Sequence, residues 1–276
     1  MSSVNDPESD LTRKQRREQA REQRRVAEQA HAEQATQRKR LYQLGGVALA
    51  VVVVIAIILV ATGSGGSKNA PAPKSAAATA ASTAVIAMLQ GIPQSSNALG
   101  NPSAPVTVQY FGDLECPFCK QFTLSALPSV IQKDVRTGKA RLEYRAMETA
   151  TREKETFQNQ QVAALAAGKQ NRMWYYVELF YHEQGEEDSG YVTENYLQGL
   201  AAQIPGLNLP EWSAARNDPA YSNQVIADAQ AANQAGFTGT PSFLIGKTGG
   251  TLQKFEDSNL TSPSTIEAQI EKVAKS

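Results

Sequence analysis

The sequence predicts an α/β domain carrying an all-helical insertion, preceded by one N-terminal transmembrane helix. Three observations carry this. Residues 44–61 contain no charge and are almost wholly apolar. Beyond them, β-branched and aromatic stretches at 106–111, 140–146, 242–246 and 251–255 read as strands. Between the second and third of these, residues from about 153 to 235 are helical in pattern almost throughout.

Residues 1–43 form a basic tail. Residues 1–40 hold ten basic and seven acidic side chains, although the whole chain has a formal net charge of zero. Neither portion is charged enough to make nucleic acid a main partner. The run 11–40 is rich in helix-forming Arg, Gln, Glu and Ala but has no apolar stripe. It reads as a solvated helix that fixes topology, with a basic arm for lipid headgroups or a cytoplasmic partner as the other reading.

Residues 44–61 are long enough, at about 1.5 Å per helical residue, to cross a bilayer's hydrocarbon core. Arg38, Lys39 and Arg40 precede them, and only Lys68 and Lys74 follow. The positive-inside rule then leaves residues 1–43 in the cytoplasm and the rest outside, as a single-pass plasma-membrane protein. A cleaved signal peptide fits less well, because the polar leader and the apolar run are both too long. Residues 62–83, of Gly, Ser, Ala, Pro and Lys with little else, read as a linker.

The globular domain is expected over 84–276. Residues 85–89 read as a first short strand, with turns at 91–93 and 100–102 before the strand at 106–111. Next comes Asp113-Leu114-Glu115-Cys116-Pro117-Phe118-Cys119, holding both cysteines of the chain. Phe122, Leu124, Leu127 and Ile131 then recur at helical spacing. The cysteines thus sit where a strand hands over to a helix, with Cys116 near the helix N-terminus. Unpaired N–H groups and the helix dipole stabilise a thiolate there, which makes a cysteine reactive near neutral pH.

Two cysteines do not make a disulfide scaffold. A structural zinc site needs about four ligands, and the only further soft candidates are His31 and His182, placed on opposite sides of the membrane. A structural disulfide over so short a loop would remove little chain entropy. Two inert buried thiols are the third alternative, against which Pro117 and the helix-start position argue for exposure. A redox pair is the reading that uses every feature.

Thr137-Gly138-Lys139 closes the cysteine helix before the strand at 140–146. In the insertion, Met173, Trp174, Val177, Phe180 and Tyr181 mark a core helix, and 191–203 and 219–234 are further helices. His182 with Glu183, Glu186, Glu187 and Asp188 reads as a solvated helix end and loop rather than a metal site. Then Gly239-Thr240-Pro241-Ser242-Phe243 opens an apolar strand with proline at its permitted first place. A turn at 247–250 leads to the returning strand, and Ser262-Pro263 starts a last helix.

The order strand, Cys-x-x-Cys helix, strand, helical block, Thr-Pro strand, hairpin strand and helix resembles the thioredoxin fold with a helical insertion. That is the arrangement of the bacterial DsbA-like thiol–disulfide oxidoreductases. The matching pieces are residues 100–106, Phe111 through Cys119, and Gly239-Thr240-Pro241-Ser242-Phe243, so the resemblance spans about 84–276. It implies that Cys116 is the nucleophile, that Cys119 is the resolving cysteine, and that the Thr240–Pro241 bond is cis. It also implies that Thr240 pairs its backbone with an extended client segment, while Pro241 leaves that edge open. The implied activity is oxidation of cysteine pairs in secreted proteins, with no cofactor or metal and with a membrane redox partner for recycling. A reductase or isomerase, and a non-catalytic peptide-binding module, are the alternatives.

One departure stands out. The strongest oxidants of that family carry His between the cysteines, where this chain has Pro117-Phe118. Phe118 cannot donate to a thiolate, and Asp113 and Glu115 lie close in sequence. All three features are expected to raise the Cys116 pKa relative to that extreme and to make the disulfide less oxidising. Asp113 reads either as a turn or cap residue or as a proton-handling group.

Overall fold

The computed structural model describes residues 76–257 and 259–276. The tail, the expected transmembrane helix at 44–61 and most of the expected linker lie outside the described residues. No helix among the described residues is long and apolar enough to cross a membrane.

The described residues begin with helix α1, Ala76–Leu89. This corrects two expectations, since residues 76–83 are not linker and 85–89 are not a strand. Ala78, Val85 and Leu89 are buried, and their spacing of seven and four residues places them on one helical face. Alanine, the commonest residue of this helix, is the best helix former. That face packs against a helix of the insertion. The Arg136 guanidinium caps the far end, donating to the carbonyls of Met88 at 2.8 Å and Gln90 at 3.1 Å.

Two short strands not expected from sequence follow, β1 (Gln94–Ser95) and β2 (Ala98–Leu99). The expected strands are β3 (Val106–Gly112), β4 (Ala140–Ala146), β5 (Ser242–Lys247) and β6 (Gln253–Phe255). They form one sheet in the order β1-β2-β4-β3-β5-β6. β3 is central, parallel to β4 and antiparallel to β5. β3 is buried on both faces except at half-buried Gln109, as a central strand covered on both sides must be, whereas β4 alternates buried and half-buried positions.

A parallel pair needs a crossover. Here it is α2 (Pro117–Ser125), α3 (Leu127–Val130) and a π-helical turn at Ile131–Val135. The insertion between β4 and β5 comprises α4 (Lys154–Gly168), α5 (Met173–His182), α6 (Glu194–Ala201), α7 (Leu209–Ala215) and α8 (Pro219–Gln234). The helix expected over 191–203 is shorter, because the Thr193 side chain caps it by accepting the N–H of Tyr196. Helix α9, Pro263–Lys275, closes the chain.

Two apolar clusters flank the sheet. In the larger, Tyr110, Phe122, Phe243 and Tyr144 meet edge-on or stacked beneath the cysteine helix, with ring centroids 5.0–5.4 Å apart. The smaller unites Phe111, Met147, Ala232 and Phe237. Asp228 of α8 is tied to β4 there, pairing with Arg145 and accepting the N–H of Ala146 at 3.0 Å.

Candidate active site

β3 ends at Gly112, and the chain turns so that Cys116 N–H donates to the Asp113 carbonyl at 3.0 Å. Cys116 becomes the N-cap of α2, with extended backbone angles. Pro117 takes the next position, where a missing N–H costs nothing. Both cysteines are free thiols. Cys119 is fully buried, one turn in, and Cys116 is only 4% exposed. The exposure expected for Cys116 is therefore corrected. The loop before β5 crosses over it, and the Thr240 carbonyl accepts from its Sγ at 3.5 Å. Pro117 and Phe118, the two residues between the cysteines, face solvent, Phe118 at 67% exposure.

The Thr240–Pro241 bond is cis, as the resemblance implies. The Thr240 hydroxyl shares a 2.6 Å hydrogen bond with that of Thr149, which joins this loop to the segment following β4.

The two sulfurs have opposite character. The Cys116 pKa is lowered to about 6. The largest cause is the hydrogen bond from the Cys119 thiol, which favours a thiolate at Cys116. Burial opposes it, and the Thr240 side chain and the backbone N–H groups of Cys119 and Phe118 add to it. The Cys119 thiol is pushed well above the ordinary range, first by burial and then by its bond to and the charge of Cys116. At neutral pH the pair therefore holds one thiolate, on the outer cysteine, and one proton, on the inner.

Asp113 and Glu115 do not act on Cys116 as their nearness in sequence suggests, and neither is among the leading causes of its shift. The Asp113 carboxylate is fully buried. One oxygen accepts the N–H groups of Thr149, Ala150 and Thr151 at 2.9, 2.8 and 3.0 Å. The other accepts the Thr151 hydroxyl at 2.6 Å, the N–H of Glu115 at 3.1 Å and the Gln160 amide at 3.5 Å. A carboxylate so committed clamps the cysteine turn to the loop after β4, which favours the turn-residue reading. Glu115 is also buried. Its pKa is raised first by burial, partly offset by a Thr151 bond, and raised further by the charges of Asp113 and Asp188.

Several residues of the site were not expected from sequence. The Gln184 amide, from the end of α5, donates to the carbonyls of Leu114 at 2.6 Å and Cys116 at 3.1 Å. Lys120 in turn donates to the Gln184 carbonyl at 2.9 Å. Thr149, Thr151 and Gln160 complete the frame. No local signal marks these residues, since each acts across 36 or more positions. Asp188, from the expected acidic loop, pairs with Arg152 at 2.9 Å.

Beside the cysteines lies an open groove of about 790 Å³. Phe118, Phe122, Phe237 and Phe255 supply its apolar surface, Thr240 and Pro241 its wall nearest Cys116, and Lys254, Glu256 and Asp257 its charged rim. A concave, partly aromatic surface at a reactive sulfur can hold an extended chain while that chain's thiol approaches.

Residues 94–271 match the family model described as thioredoxin. Disulfide bond formation protein D of Bacillus subtilis (strain 168) is 26% identical over 152 residues, covering 53% of this chain and 66% of that protein. The probable disulfide bond formation protein D of Bacillus anthracis is 22% identical over 158 residues, 55% of this chain and 70% of that one. Among solved structures, oxidised BdbD from Bacillus subtilis matches with a TM-score of 0.56 at 21% identity, covering 67% of this chain and 97% of that chain. Pseudomonas aeruginosa DsbA2 matches with 0.51 at 22% identity, covering 67% and 98%. These structural likenesses bear on the fold, which is thioredoxin-like with a helical insertion.

Proposed function

The chain belongs to the thioredoxin family and is a thiol–disulfide oxidoreductase, and on that premise we propose that it oxidises cysteine pairs of exported proteins outside the plasma membrane. What supports the direction is the setting of Cys116, at the N-cap of α2 in front of a fully buried Cys119, which lowers its pKa to about 6 and favours its thiolate. A thiolate stabilised in the reduced form makes the corresponding disulfide more oxidising.

The cycle starts from the Cys116–Cys119 disulfide. A client thiolate attacks Cys116 Sγ, the Cys116–Cys119 bond breaks, and its electron pair leaves on Cys119. A second client thiolate then attacks the client sulfur of the mixed disulfide. The client disulfide forms, and Cys116 departs as a thiolate that needs no proton. The client is oxidised by two electrons and the enzyme reduced by two. A membrane redox partner that accepts those electrons restores the disulfide, and no cofactor is required. The groove bordered by Phe118, Thr240 and Pro241 receives the extended client segment.

Residues 44–61 anchor the enzyme, with residues 1–43 in the cytoplasm and the catalytic domain outside. Their uncharged length and the Arg38-Lys39-Arg40 flank support this. The compartment is one where disulfides persist.

The test is a redox titration of the purified chain against glutathione, paired with labelling of intact cells by a membrane-impermeant thiol reagent. An oxidase gives a potential well above the roughly −270 mV of a thioredoxin-type reductase, with Cys116 labelled from outside once a membrane-impermeant reductant has opened the disulfide. A potential at or below that value would instead assign a reductant, and labelling only after lysis would remove the proposed topology.

A further inference from the structure

Thr240, the residue before the cis proline of the groove wall, is fastened by two hydrogen bonds. Its carbonyl accepts from Cys116 Sγ at 3.5 Å. Its hydroxyl shares a 2.6 Å bond with that of Thr149. Packing adds little on the approach to it. Thr238 and Gly239 are exposed, and a Cβ at Gly239 would meet nothing within 4 Å. Thr149, although exposed itself, stands on a fixed base. Its N–H, with those of Ala150 and Thr151, is held by one oxygen of the buried Asp113 carboxylate at 2.8–3.0 Å. Asp113 in turn lies in the cysteine turn, where its carbonyl accepts the N–H of Cys116. Asp113, Thr149 and Thr240 thus form a strut from the cysteine turn to the loop that crosses it.

The two bonds on Thr240 do not last equally through the proposed cycle. The one from Cys116 needs a proton on sulfur. The Cys116–Cys119 disulfide carries none, so in the oxidised enzyme the Thr240 carbonyl is released to accept an N–H from an arriving chain. The bond to Thr149 involves no redox-active atom and holds in every state. It is therefore the contact that keeps the loop in place when a client arrives. A loop already held in its binding geometry costs little ordering entropy at each encounter. A loop with a glycine on its approach and no tether costs more.

We propose that Thr149 is a positioning residue for client capture: its hydroxyl, seated on the Asp113 clamp, holds the Thr240 backbone in place beside Cys116 for an extended client segment. The inference rests on the oxidising cycle above and deepens it, because it names what the site recognises. That is the client's main chain next to its cysteine. The freed Thr240 carbonyl is an acceptor for a backbone N–H, a group that every extended segment other than one of prolines presents. Thr149 thus favours polypeptide thiols over small thiols without selecting a sequence. It acts through Thr240, and no electron or proton of the exchange passes through it.

The test mixes the full-length oxidised chain rapidly with a reduced synthetic peptide carrying two cysteines and, separately, with dithiothreitol. Opening of the disulfide is followed in both, and the readout is the ratio of the peptide rate to the dithiothreitol rate. Thr149→Val keeps the shape and the backbone N–H of the parent residue and removes only the hydroxyl. It is expected to lower that ratio roughly 2- to 10-fold, the worth of one neutral hydrogen bond. Thr149→Ser, which keeps the hydroxyl, should restore the parent ratio. A ratio in Thr149→Val within about twofold of the parent's would overturn the proposal. So would an equal loss in Thr149→Ser, since shape and not the hydroxyl would then be the cause. In a Thr240→Val background there is no hydroxyl left to hold, so adding Thr149→Val should leave the ratio unchanged; a second loss of the same size means that Thr149 does not act through Thr240. Should Thr149→Val not fold, Thr149→Ala carries the same comparison. If the parent disulfide is opened by neither peptide nor dithiothreitol, the oxidoreductase reading itself fails and this inference with it, which is a different outcome from a reactive parent whose variant keeps the ratio.

Discussion

Removing the inner sulfur should make the outer one less acidic. In Cys119→Ala, Cys116 keeps its place as the cap of α2 and its contact with Thr240. It loses the thiol hydrogen bond that is the largest cause of its lowered pKa. One hydrogen bond to a charged atom is worth about 1.5–3 kcal/mol, and each pKa unit is about 1.4 kcal/mol. The midpoint should therefore climb from about 6 by roughly one to two units. At pH 7 the parent is about nine-tenths thiolate, and the variant would be at most about half. The assay is thiolate absorbance against pH for the reduced chain, with Cys116→Ser as the blank, cross-checked by the pH dependence of alkylation. A midpoint still near that of the parent would mean that the helix N-terminus and Thr240 suffice and that the inner thiol is a bystander. The outcome also bears on trapping: Cys119→Ala should capture clients as mixed disulfides best above neutral pH, and identifying those clients needs that adjustment.

Glu178, fully buried on α5 with neither oxygen partnered by protein, has its pKa raised by burial to about 8. Its folded value lies above its unfolded one, so the stability it contributes is whole below about pH 4.5 and is lost as pH rises through about 8. Glu178→Gln should flatten that loss, which amounts to up to roughly 5 kcal/mol. Urea unfolding of both chains at several pH values across this window checks it, and parallel curves would count against the assignment. Asp113→Asn swaps an acceptor oxygen for a donor inside a ring of donors. It should cost at least about 1.5–3 kcal/mol in unfolding experiments while leaving the Cys116 midpoint nearly in place; a large move of that midpoint would make Asp113 a tuning group after all. Phe118→Ser, at an exposed position, should change stability by less than about 0.5 kcal/mol. It should raise KM for peptide clients without altering reaction with small thiols, and equal losses for both substrates would detach Phe118 from the groove.

The chemistry of the site was legible because it is local. A strand, two cysteines and a proline within a few residues fix a helix N-terminus, with the outer sulfur at its cap and the inner one a turn further in, where burial keeps it protonated. Strands β3 and β4 were legible for the same reason, through alternation. What misled was composition without context. Residues 76–83 look like linker because they are small, yet alanine next to Val85 and Leu89 extends a helix once another helix covers that face. Five apolar residues at 85–89 suit either period and could not decide. Asp113 and Glu115 were placed beside Cys116 by adjacency, but side-chain direction is set by a loop 36–38 residues further on. Tyr110, Tyr144 and Tyr181 could be assigned to the core from periodicity. That the hydroxyls of the first two meet that of the third required β3, β4 and α5 to be brought together, and no local pattern encodes that.

The insertion is therefore part of the site and not an ornament on it. Tyr181 and Gln184 belong to α5 or its end, Gln160 belongs to α4, and each bonds a group of the 113–116 turn. Thr149 and Thr151, at the entrance to the insertion, do the same through Asp113, and Thr149 also reaches across to Thr240. A nucleophile that must be attacked from outside while its partner sulfur leaves inward needs a backbone that does not yield, because any outward shift of the turn would admit water to Cys119 and erase the difference between the two thiols. A sheet and a cysteine helix alone leave the inner face of the turn uncovered. Covering it with a helical block gives Cys119 its burial, supplies donors that carry no charge, and leaves the groove side free for the client.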